Sequence, residues 1–351
     1  MLGLWARAEG LEEYDFSALD GAAPGWVENA KEYAVSLAKG ERELDAKDMW
    51  GRLREAAARE AGEAAGTGCA VLLCVLLSGA CAGLDGAGRG AQVACRAAGG
   101  AAMTGAMVRC ASSAREWAAA IRGAEEAITP ILTGLMAATG AEGTSQALYP
   151  LMGLCQWAAG FLLTDAGPAL CCAGAAVSAA GGLGGEFRMG KLARGLTGAA
   201  GWLAGGLVSG FLLLSGAAGS LGSARDGVAL RSAKYAVDSL FPVAGGELSS
   251  ALGAAAGSAA VLRQAVGVTG GVIILGVCAG PCVKLFMTAL CVKAALMLGE
   301  GAGDKAAVEM GEGFERALYS MLACLAASAV LALIWIGAAL TFGRWAAEAA
   351  S

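Results

Sequence analysis

The chain has 351 residues, with 25 Lys and Arg, 30 Asp and Glu, no His and a formal net charge of −5. Hydrophobic residues make up 57% and charged residues 16%, where a soluble domain carries roughly 25% charged residues. This balance excludes a disordered chain and points to an all-α, polytopic integral membrane protein. The lack of His removes imidazole catalysis and most catalytic zinc sites, and the net negative charge offers no field for nucleic acid.

Residues 1–63 are polar and rich in acidic side chains, with Trp5, Trp26 and Trp50 among them. Helices are expected at Asn29–Ala38 and Ala46–Ala65, the second with Met49, Trp50, Leu53 and Ala57 on one face. The region reads as an amphipathic helical unit on or beside the bilayer. The start, MLGLWARAEG, has a four-residue apolar stub rather than an h-region, so no signal peptide is expected.

Residues 64–351 read as a multi-pass helical membrane domain. A spanning helix needs roughly 20 mostly apolar residues. Uncharged runs at 64–84, 143–164, 166–185, 195–224 and 317–343 reach that length. The run at 97–108 joins them if Arg96 snorkels to an interface, and the run at 264–283 continues past Lys284. Seven or eight transmembrane helices are expected. Between two of these runs, residues 109–126 carry Arg109, Arg115, Glu116, Arg122, Glu125 and Glu126 in a helical pattern. They read as a solvated amphipathic linker in which Arg122 and Glu126 pair at i,i+4.

The run at 195–224 contains two GxxxG spacings, Gly201–Gly205 and Gly206–Gly210. Small residues at this spacing let helix backbones approach, so a helix–helix contact is expected there. The next segment, 225–247, places Arg231, Lys234 and Asp238 on one helical stripe, followed by Pro242 and Gly245–Gly246. The proline ends the helix and the glycines allow a sharp turn. Such an element is either re-entrant and lines a polar space or is an amphipathic surface helix. Farther on, Lys284 and Lys293 interrupt an apolar helix, with Pro281 marking a kink. Lys284 either snorkels or faces a pore.

The 12 cysteines lie in or beside apolar stretches and read as small apolar residues, so no metal or other cofactor is expected. Neither a GxSxG nor a Walker A motif occurs. The chain is therefore expected not to be an enzyme, and any ATP-derived energy must come from a partner.

The stretch Val228–Gly299 resembles the C-terminal core of the stage III sporulation protein AE family. It contains RSAKYAVDSLFPVAGGELSSAL followed by LRQAVGVTGGVIILGVCAGPCVKLFMTALCVKAAL. The features shared are Ala233–Lys234, the Phe241–Gly246 segment FPVAGG, the apolar run Val272–Leu275, Pro281 and Lys284. LEEYDFSALD at Leu11–Asp20 also resembles the family. The resemblance implies a permease-like membrane subunit of the channel complex between mother cell and forespore, required for endospore development after engulfment. It implies a place in the mother-cell membrane around the forespore, with other membrane subunits and an ATPase supplied in trans as partners. It also implies that residues 1–63 face the intermembrane space, although family members commonly begin with a cleavable signal peptide. A stand-alone secondary transporter of a small solute is the alternative.

Overall fold

A computed structural model describes residues 46–82, 88–138, 150, 153–154, 157–183, 189–214, 245–301 and 304–350. Among the described residues the secondary structure is helical, with no strand. The elements are α1 (Ala46–Ala82), α2 (Gly88–Ala138), a π-helical segment (Ala159–Ala166) that continues into α3 (Gly167–Leu183), α4 (Gly190–Leu214), α5 (Gly245–Gly299) and α6 (Lys305–Ala350). Arg231, Lys234, Asp238 and Pro242 lie outside the described residues.

Local sequence explains several features. α1 is rich in alanine, the best helix former, and has no proline, so the amphipathic helix expected at Ala46–Ala65 runs without a break into the first apolar run. The π-helical segment arises where the ordinary ladder is interrupted. Thr164 Oγ1 donates back to the Gly160 carbonyl, Pro168 has no N–H to give, and the Gly167 N–H reaches the Leu162 carbonyl five residues back. Gly245 and Gly246 are the first two residues of α5, so the turn expected at them is instead the start of a helix. A first helical turn leaves its N–H groups without intrahelical partners in any case, and it tolerates glycine there.

α1 packs on α2 and α5, α5 on α2 and α6, and α6 on α3 and α2. α4 lies against α3 and α6 through Thr197 and Ala200. The core between them is apolar, and Met103, Met107, Ile128, Leu163, Ile273 and Leu285 are fully buried. Residues 109–126 keep the expected amphipathic pattern, with Arg109, Arg115, Glu116 and Glu126 exposed, but they are not a separate linker. They are the middle of α2, and Trp117, Ile121 and Glu125 are buried. Nor does Arg122 pair with Glu126. It reaches Asp165 of the π-helical segment at 4.0 Å.

Five segments are long and apolar enough to cross a membrane: Ala57–Ala82, Ala159–Leu183, Gly190–Leu214, Gly267–Gly299 and Lys305–Gly337. The expected seven or eight included the short run 97–108, which turns out to belong to α2, bounded there by Arg96 and Arg109, and the run 143–164, half of which lies outside the described residues. The outer face is apolar: Trp202, Leu213 and Leu298 are each more than 70% exposed, as suits contact with lipid.

Among the described residues the close helix approaches do not use the expected glycines of α4. A Cβ at Gly201, Gly205, Gly206 or Gly210 would meet no atom within 4 Å among the described residues. At Gly68 of α1, by contrast, a Cβ would lie 3.0 Å from both the Cβ and the carbonyl oxygen of Cys291 on α5. GxxxG spacing arises readily in a chain with 56 glycines, and helix rotation decides which glycine meets a neighbour. Gly68→Leu is therefore expected to cost on the order of 1–3 kcal/mol by overpacking against backbone that cannot retreat. Gly206→Leu should leave the isolated chain's stability unchanged. Thermal melting of both variants in detergent checks the contrast.

Candidate functional site

Charged side chains that lipid would exclude sit between the helices. The most buried group is centred on Asp304, immediately before α6. Its Oδ1 accepts the Ala306 N–H at 3.2 Å and its carbonyl accepts the Val308 N–H at 3.1 Å, so it caps the helix. Its Oδ2 accepts from Ser78 of α1 and from Gln92 of α2, each at 3.0 Å, and forms an ion pair with Arg96 of α2. Arg96 Nη1 also donates to the Gly182 carbonyl of α3 at 3.3 Å. One carboxylate thus joins α1, α2 and α6, and Arg96 adds α3. The Arg96 and Asp304 side chains are only 13% and 11% exposed. Burial alone would raise the Asp304 carboxyl, but the Ala306 N–H, the Ser78 hydroxyl and Arg96 outweigh it and hold the group below its ordinary range.

α5 contributes two lysines, and each crosses to a different helix. Lys284 Nζ lies 3.0 Å from Glu63 and 3.5 Å from Glu60, both on α1. Lys293 Nζ lies 3.4 Å from Glu315 on α6 and 6.0 Å from the centre of the Tyr319 ring, within cation–π range. On α5, α1 and α6 these pairs form a charged seam through an otherwise apolar bundle. Such a seam fixes which helix faces which, because a slip of one turn would strand a charge. It also supplies the kind of polar surface that a conduit through a membrane requires.

Of the residues singled out in the sequence, Arg96 and Lys293 take part in these arrangements, and so does Lys284. It is neither a free snorkelling cation nor an isolated pore charge, because two carboxylates hold it. Gly201, Gly205, Gly206 and Gly210 lie on α4 without close neighbours among the described residues, and Gly245 and Gly246 start α5. Sequence reasoning missed Glu60, Glu63 and Asp304. Asp304 had a signal: an Asp between a Gly-rich stretch and a long apolar-periodic helix is an N-cap pattern. Among the described residues no group of three Cys, Asp or Glu side chains is placed to hold a metal ion.

Fold and seam together define a polytopic, all-helical membrane protein whose spanning helices are joined by interhelical ion pairs. The family model of stage III sporulation protein AE matches residues 28–343, nearly the whole chain, and the chain belongs to that family. It is thus a membrane protein of sporulation. No curated protein and no solved structure matches it.

Proposed function

We propose that the chain is the permease-like, non-enzymatic subunit of the channel complex that joins mother cell and forespore. In this reading it resides in the mother-cell membrane around the forespore, with other membrane subunits beside it and an ATPase supplied in trans. The observation that carries the reading is the seam: Lys284 with Glu60 and Glu63, and Lys293 with Glu315, in segments otherwise apolar enough to cross a bilayer. A bundle serving only as an anchor holds together by apolar contacts and gains little from intramembrane charge, whereas one bordering a polar path needs it. The absence of His from the whole sequence supports a non-enzymatic role. The family carries the sporulation context.

Two measurements test the proposal. A clean deletion should leave vegetative growth intact and arrest forespores after engulfment. A tagged chain solubilised from sporulating cells should recover other membrane subunits and an ATPase. A normal yield of heat-resistant spores would remove the channel role. A chain that purifies alone would favour the stand-alone transporter.

A further inference from the structure

Along α2, about 40 Å from the Asp304 group, a cavity of about 360 Å3 opens between that helix and the π-helical segment. Its charges do not cancel. Glu125, Glu126 and Asp165 face one guanidinium, Arg122, leaving a formal charge of −2 with all three carboxyls ionised. Among the described residues these four are the charged groups lining the cavity. Arg122 is already committed: it lies over Gly160, where a Cβ would come within 3.4 Å of Nη1, and points to Asp165 at 4.0 Å.

Glu125 is the unusual member. It is only 8% exposed and lines the cavity, yet its carboxyl has no hydrogen-bond or ion-pair partner among the described residues. Burying an unpaired carboxylate is costly, and the group responds by holding its proton. Burial and then the neighbouring Glu126 push it up to about 7, against the pull of Arg122. The other wall is aromatic. The Trp157 and Phe161 rings stack with centroids 5.9 Å apart and planes 10° from parallel, and both remain more than half exposed. Such rings present an apolar surface with an electron-rich face.

We infer that this cavity binds a small aliphatic ammonium ion, its charge taken by Glu125, Glu126 and Asp165 and its hydrocarbon by the Trp157–Phe161 wall. A diamine answers the formal −2 in full. A metal ion fits less well, since the carboxylates are not gathered into a coordination group and an aromatic wall contributes nothing to a hydrated divalent cation. The cation engages ionised Glu125, so binding to the protonated form releases that proton to solvent. Low pH therefore weakens binding and higher pH strengthens it. The inference is independent of the channel reading, because it concerns the isolated chain.

The test is calorimetric titration of the full chain in detergent with 1,4-diaminobutane at constant ionic strength. Binding should saturate and tighten about tenfold from pH 6 to pH 8, as Glu125 passes from about one-tenth to about nine-tenths ionised. Near pH 7 the measured heat should vary with the buffer's ionisation enthalpy, the mark of proton release. Glu125→Gln should weaken binding at pH 8 at least tenfold and flatten its pH dependence. Trp157→Ala, at an exposed position that does not endanger folding, should weaken it several-fold. Butane-1,4-diol should not bind. No saturable binding by the wild type, equal binding by Mg2+, or binding unchanged by either variant would overturn the inference.

Discussion

Asp304→Ala is expected to lower the stability of the protein more than any other single polar substitution described above. It removes the N-cap of α6 and leaves Arg96, 13% exposed, without its carboxylate. Losing a cap costs about 1 kcal/mol, and stranding one member of a buried pair about 3–5 kcal/mol. Together these approach the lower end of the roughly 5–15 kcal/mol that holds a domain folded. The variant should be scarce in membranes and melt well below the wild type in detergent. Replacing both partners, as Arg96→Met with Asp304→Ala, should do less harm than the separate losses added together, because no charge is left buried. A double variant as damaged as that sum would show that the two residues are not coupled. The pH dependence has a definite sign. Asp304 is held below its ordinary range, so its contribution is complete above about pH 4 and is lost as pH falls through the folded-state value. Asp304→Asn should flatten this acid limb of the melting curve.

Lys284→Glu should have the second-largest effect. It would bring three carboxylates together where Lys284 now lies 3.0 Å from Glu63 and 3.5 Å from Glu60. Both ion pairs are lost and the reversal adds repulsion, screened by solvent at the largely exposed Glu63 and less so at Glu60. Little protein should accumulate. Exchanging the signs, with Lys at positions 60 and 63 as well, should restore part of the yield. The informative variant removes every charge: Met at positions 60, 63 and 284 leaves no group stranded and should keep the bundle folded. If the seam borders a conduit, this variant reaches the membrane at normal levels and fails to support spores. Full sporulation by the triple variant would make the seam a device for helix register alone.

The sequence made Lys284 conspicuous because a cation inside a long apolar run is costly wherever it points. It did not reveal Glu60 and Glu63, which read as the solvated end of an amphipathic helix. The partner of a charge depends on which helix lies alongside, and here Lys284 is more than 220 residues from Glu60 and Glu63 in the chain. Ser78 and Arg96 meet Asp304 across sequence separations of 226 and 208 residues. The glycines show the same limit. The spacing at Gly201–Gly210 announced small residues on a helix face, while Gly68, in no conspicuous motif, proved to be where two backbones approach closely.

The sequence by itself determined the class of protein, its helical character and its family resemblance. Charge in hydrocarbon is unfavourable whatever the neighbours are, so long uncharged runs report the membrane without any knowledge of packing. Only the tertiary structure decided that residues 109–126 form the middle of one long helix with Trp117 and Ile121 turned into the core, that Arg122 turns to Asp165 rather than Glu126, and that Glu125 is enclosed beside an aromatic wall. Helical spacing fixes which residues share a face, but the rotation and depth of each helix against its neighbours fix what that face meets.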